Sequence, residues 1–306
     1  MWCLRGGLLR GLIASAILVL QIASVSGQDK ASDATDSPAA ILKKFVEVNE
    51  VWLNPKAEQL SYVLTATIKE KPSYIGRVWI DGPNIRWEMD ELDKGSTSAV
   101  VIRGDSAAYV KGPEQLLKTK AEVGEIHPFR QGITWKSAFH TIRERGVPSN
   151  AKLLERQNVD AGEVVIIEVA IPDQRRFGLG VRDSWLGYSG VAGTPRSLSI
   201  SRVRLHIRLP EYLPVLEDYP DRRVQFRYGA EPIRFDSGLA PSTITYASKS
   251  PEGNAREMVA HFQKYESSWL LEMAKNRQDG VVVSALEVSE VSTAPPDKAL
   301  FEVPAK

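Results

Sequence analysis

The chain has 306 residues, of which 39 are basic and 38 acidic, and a quarter of it is charged. Charge this balanced sets up no global field for a polyanion, so nucleic acid is not an expected partner. One cysteine, Cys3, leaves no pair for a disulfide and no thiolate set for a zinc site.

The first 27 residues read as a signal peptide. Arg5 and Arg10 supply a positive start, Gly11 to Ala23 is almost wholly apolar, and Val25, Ser26 and Gly27 are small. Cleavage after Gly27 would release a chain beginning at Gln28, with 37 basic against 38 acidic residues and no cysteine. The alternative is an uncleaved anchor formed by Leu8 to Val25. Cys3 precedes the apolar run, so it does not fit a lipid-anchored mature terminus. The expected location is therefore the periplasm or the extracellular side.

Residues 28–37 are polar and read as a flexible leader, and residues 38–306 as a single domain. Ser37 and Pro38 form a helix start, and Ile41, Leu42, Phe45, Val48 and Trp52 recur at helical spacing up to the Asn54-Pro55 break. From Leu60 the period changes to two, with Leu60, Tyr62, Leu64, Ala66 and Ile68 on one side. Further strands are expected over 74–80, 84–89, 98–102, 107–111 and 115–120. The turns between them, such as Asp81-Gly82-Pro83 and Arg103-Gly104-Asp105, leave no room for helical crossovers, so the strands form an antiparallel meander.

A short helix with Thr134 as its cap carries Ala138, Phe139 and Ile142 on one face. The run from Val164 to Ile171 is a strand buried on both faces. Residues 172–195 are rich in glycine and read as a long connection or insertion, serving either as a lid or as a variable loop. Next comes an amphipathic strand with Val203, Leu205, Ile207 and Leu209 on one face and Arg202, Arg204, His206 and Arg208 on the other. Arg223 and Arg227 alternate with Val224, Phe226 and Tyr228. If these two strands are adjacent, Arg202, Arg204, Arg208, Arg223 and Arg227 form a basic ribbon fit for anionic headgroups; otherwise they line a solvated sheet face. A second insertion is expected near residues 232–241. The final meander occupies 243–248, 257–265, 268–274 and 281–291.

The predicted fold class is mainly β with a minority of helix, a curved antiparallel sheet or incomplete barrel wrapped around helices. The apolar strand faces place Leu64, Ala66, Ile68, Val78, Ile80, Val101, Val203, Leu205, Ile207, Phe226 and Phe262 as candidate walls of a ligand cavity. The same residues would equally make a filled core.

No catalytic constellation is legible. His127, His140, His206 and His261 are far apart in sequence, and Ser189 in Gly187-Tyr188-Ser189-Gly190 lacks the nucleophile-elbow spacing. Asp81, Glu88, Asp90, Glu91 and Asp93 read as solvated turn carboxylates, and no glycine-rich phosphate loop is present. Neither a cofactor nor a metal is expected, and the chain reads as a non-enzyme.

The tail, a strand ending at Val291 followed by Pro295-Pro296, Leu300-Phe301 and Pro304, resembles the end of periplasmic carriers of the outer-membrane lipoprotein-sorting family. The resemblance extends through Trp269 to Val288, and to the front, where the first helix leads into strands carrying Trp79 and Trp87. It implies an open antiparallel barrel around helices, a hydrophobic ligand such as an acyl chain, lipid or lipoprotein, and transient contact with a membrane surface. The alternative is an envelope protein-interaction or structural module with a filled core, which would recruit a protein partner by its sheet edges.

Overall fold

The computed structural model describes residues 37–53, 59–104, 106–111, 114–119, 133–160, 162–172, 176–179, 200–250 and 252–302. The proposed signal peptide, the leader up to Asp36 and most of the 172–195 connection lie outside the described residues.

The first helix starts as expected. The Ser37 hydroxyl accepts the Ala40 N–H at 3.2 Å, and Pro38 occupies the first turn of α1 (Pro38–Val48). The helical stripe then breaks at Asn49, and a separate turn, α2 (Glu50–Leu53), follows. Asn49 explains the break. Its Nδ2 donates to Phe45 O at 2.9 Å and to Tyr212 O at 2.8 Å, while its Oδ1 accepts Trp52 Nε1 at 2.8 Å. A side chain bonded to nearby backbone competes with helix continuation.

Fifteen strands form one curved antiparallel sheet that does not close into a barrel. Its N-terminal wing is a meander of β1 (Gln59–Ile68), β2 (Lys71–Asp81), β3 (Asn84–Glu91), β4 (Ser96–Arg103), β5 (Ser106–Lys111) and β6 (Glu114–Thr119). The other wing runs from β8 (Lys152–Val159) through β9 (Gly162–Pro172), β11 (Ile200–Leu209), β12 (Leu213–Tyr219) and β13 (Val224–Tyr228). It continues through β16 (Thr243–Lys249), β17 (Ala255–Tyr265), β18 (Ser268–Gln278) and β19 (Val281–Ser292). The wings meet where β1 pairs with β19, for example Thr65 opposite Glu287. Strands β6 and β8 are the two edges. At about 4.8 Å per spacing the sheet is roughly 65–70 Å wide along its arc.

Two small two-stranded sheets complete the set. β7 (Ile133–Lys136) pairs with β10 (Arg176–Leu179), and β14 (Pro232–Phe235) with β15 (Gly238–Pro241). The segment read as an insertion near 232–241 is thus the β14–β15 hairpin, which packs on α1 and α2. Gly238 permits that approach. A Cβ there would lie 2.2 Å from Val48 O, and its φ of +148° suits glycine.

Thr134 is not a helix cap, because it lies within β7; Ser137 caps α3 (Ala138–Arg145) instead. Strands β8 and β12 and the strands of both two-stranded sheets were not legible as strands. β8 is exposed along its whole length and carries no two-residue burial pattern, which removes the signal on which such a reading depends.

Candidate functional site

The concave face of the sheet is built from alternate residues. Paired residues in an antiparallel ladder share a face, and one row runs from Tyr74 through Ala66, Leu286, Ala274, Ala260 and Ile244 to Tyr228. The next row holds Ile68, Ser284, Asn276, Met258, Tyr246, Phe226, Glu217, Leu205 and Ile167. Against this face lie α1, α2 and α3. Phe45 of α1 stacks on Phe139 of α3 at 4.1 Å, and Trp52 of α2 meets both edge-on at 6.4 and 6.3 Å. Trp52 also reaches Tyr228 at 6.0 Å and Trp269 at 6.4 Å, and Trp269 stacks on Phe262 at 3.9 Å. This aromatic column joins helices to sheet.

A buried carboxylate fixes the start of α3. Glu217 of β12 is wholly buried. It accepts the Ala138 N–H at 2.9 Å, the Tyr219 hydroxyl at 3.0 Å and the Tyr228 hydroxyl. Burial pushes its carboxyl above the ordinary range, opposed by these bonds and by one from Ser137. Burial and the neighbouring Glu217 charge push the Tyr228 hydroxyl well up. The His140 Nδ1 accepts the Ser137 N–H at 3.3 Å.

Leu64, Ala66, Val78, Ile80, Val203, Leu205, Ile207, Phe226 and Phe262 all lie in the central apolar cluster, and Ile68 packs against it at partial exposure. Val101 does not join them. It pairs with Arg86, whereas the inward Trp87 pairs with Val100, so Val101 is on the opposite face. That face carries the C-terminal turn Lys298–Phe301, which packs on β3 and β4 and accepts an Arg86 Nη1 bond at Leu300 O, 2.8 Å. The sequence reading failed there because β4 is buried on both faces, which hides its parity.

The basic ribbon requires β11 and β13 to be neighbours, and they are not. β12 lies between them and puts Asp218 opposite Arg204 and Gln225, and Leu216 opposite His206 and Arg227. Arg204 lies 3.8 Å from Glu168, and Arg208 lies 3.9 Å from Glu211. Arg202 is exposed beside them, and Arg223 sits in the turn before β13 in a left-handed conformation. The arginines are therefore divided among separate places on the outer face rather than assembled into one patch. Burial lowers the His206 pKa within this row, where Asp218 opposes the shift.

At one end of the concave face a polar cleft of about 470 Å³ opens among Ser248, Lys249, Asn254, Arg256, Asn276 and Gln278, with Val283 on its wall. Sequence reading did not find it, nor Glu217. Glu217 and Tyr219 hold alternate positions of β12 with the parity of its buried face, and that was the available signal. The cleft residues come from four separate strands and the turn that carries Asn254, so only register brings them together. Among the described residues no three His, Cys, Asp or Glu side chains are grouped to hold a metal ion, and no helix is long and apolar enough to cross a membrane.

No family model and no curated protein matches the sequence. Solved structures do. One is a LolA superfamily protein from Nitrosomonas europaea, at 14% identity and a TM-score of 0.36, covering 86% of this chain and 96% of that one. The resemblance to the LolA superfamily is remote. A second is LprF from Mycobacterium bovis, at 9% identity and a TM-score of 0.24, covering 88% of this chain and 99% of that one.

Proposed function

We propose that the protein is an exported binding or carrier protein for a hydrophobic ligand, an acyl chain, lipid or lipid-modified polypeptide, held between the concave face and the helices. The observation that carries this reading is the disproportion between sheet and helices. An open sheet roughly 65–70 Å wide along its arc is faced by helices of which the longest among the described residues, α1, has 11 residues, about 16 Å. In the second row Ile68 and Tyr246 are partly exposed apolar side chains, with Met258 and Phe226 buried beside Tyr246 and with Ser284 and Asn276 between Ile68 and Met258. Each methylene withdrawn from water contributes about 0.8 kcal/mol, so a chain laid along the row gains several kcal/mol.

Native mass spectrometry of the exported protein, followed by titration with acyl ligands, tests this. Ile68→Gln is the informative variant, because Leu205 and Ile207 are fully buried and a charge at either would unfold the sheet regardless of ligand. The expected result is acyl binding weakened at least five-fold by Ile68→Gln with melting unchanged. An empty protein that binds no acyl ligand would refute the reading in favour of a protein-interaction module with a filled core.

A further inference from the structure

The cleft at the end of the concave face has a chemistry distinct from the apolar rows it adjoins. Its lining contains two cations and no carboxylate: Arg256, which shares the concave side with Ser248, and Lys249, the next residue, at the end of β16 where the chain leaves the ladder and on the alternate side. Among the described residues neither cation makes a salt bridge, and the Arg256 guanidinium is held by its Nε on Asn276 Oδ1 at 3.4 Å. Two carboxylates border the cleft on its turns, outside its lining: Asp279, whose Oδ1 accepts the Ala255 N–H at 2.8 Å, and the exposed Glu252, which Ser250 holds below the usual carboxylate range. Hydroxyl and amide groups of Ser248, Ser250, Asn254, Asn276 and Gln278 supply further donors.

Register ties this cleft to the apolar row. Asn276 lies opposite Met258 and Ser284, Ser284 lies opposite Ile68, and Met258 lies opposite Tyr246. Arg256 and Ser248 are the next residues on the same face of their strands, two positions beyond Met258 and Tyr246. The turn beside the cleft also exposes Val281 and Val282, at 66% and 38%. Unpaired cations next to exposed apolar side chains suit an amphiphile better than a small inorganic ion.

We propose that this cleft is an anion site for a phosphate headgroup with net negative charge, belonging to an amphiphile whose chain lies against the partly exposed Ile68 and Tyr246. The assignment rests on the reading of the concave face as a hydrophobic-ligand site and adds the headgroup class to it. Lysine and arginine bind phosphate oxygens through charge-assisted hydrogen bonds, which strengthen where water is partly excluded.

The test is calorimetric titration of the full chain with dihexanoyl phosphatidylglycerol, dihexanoyl phosphatidylcholine and inorganic phosphate, each lipid below its micelle concentration. The wild type is compared with the Lys249→Gln, Arg256→Gln double variant. The expected result is at least ten-fold tighter binding of the anionic lipid than of the zwitterionic one, with that preference lost in the double variant and phosphatidylcholine binding unchanged. Ser250→Asp, which keeps both cations but adds a carboxylate at the lip, must also weaken phosphatidylglycerol selectively. That variant decides the matter if the double variant melts early. Equal binding of both lipids by the wild type, or a preference that survives the substitutions, overturns the headgroup site and leaves the concave-face reading standing. Binding of inorganic phosphate without either lipid overturns the amphiphile in favour of a free anion. Binding of none of the three overturns both readings.

Discussion

Replacing Asn49 by alanine tests whether one buried amide holds the helical layer in place. Three hydrogen bonds end on that side chain, and the loss is unequal among the partners. Phe45 O keeps the Asn49 backbone N–H at 3.0 Å, so it is not left bare. Trp52 Nε1 and Tyr212 O lose the acceptor at 2.8 Å and the donor at 2.8 Å that Asn49 supplies. A buried group that loses its partner costs about 1–3 kcal/mol, so two cost about 4 kcal/mol in all. Urea unfolding followed by circular dichroism measures this directly. The cycle with Trp52→Phe sharpens it, because phenylalanine has no N–H to leave unsatisfied. In that background Asn49→Ala should cost about 1–2 kcal/mol less. A loss below about 1 kcal/mol in the wild-type background, or equal losses in the two, would refute the assignment of Asn49 as the pin between α1, α2 and the β11–β12 turn.

Other outcomes follow from the same packing. Burial raises the Glu217 carboxyl above 4.5, so its contribution to stability is fully present below that pH and is lost as pH rises through the folded value. Glu217→Gln should remove that slope, and parallel stability curves for the two proteins across this range would contradict it. Phe139→Ala empties the stack on Phe45 and should cost about 3–5 kcal/mol by denaturant unfolding; a cost under 1 kcal/mol would mean that α3 is not packed as described. Gly238→Ala pushes a Cβ into the Val48 carbonyl and should cost about 1–3 kcal/mol, with hydrogen exchange in α1 and α2 rising in step. An unchanged melting temperature would place the β14–β15 hairpin away from the helices.

Much of the sheet was legible because burial on one side leaves a period of two. Leu60 to Ile68, Val203 to Leu209 and Val224 to Tyr228 carry that period without interruption, and each is a strand with its alternate residues inward. The period gives the face but not the neighbour. Arg204 and Arg227 looked like one surface until β12 came between them, since strand order depends on long-range pairing that no local pattern records. Asn49 shows the same limit within a helix. Its position continues the helical stripe, and only the distant Tyr212 carbonyl reveals why the helix stops there. The inward placement of the apolar candidates could be read by parity, whereas that of Val101 could not, because both faces of β4 are covered. The cleft was invisible because Ser248, Arg256 and Asn276 meet only through register.

The pairing of β1 with β19 has a consequence for how the molecule is made. Within each wing most paired strands are consecutive in the chain, and such contacts form early at small entropic cost. The seam at the middle of the sheet joins the first strand to the last, so it must wait until the whole chain is available. Until then the outer edge of β1 presents unpaired backbone groups along its ten residues, the kind of edge that recruits other strands. A chain crossing a membrane from its N-terminus would emerge with that edge bare, and would depend on being kept from its neighbours until the final strand arrived to cover it.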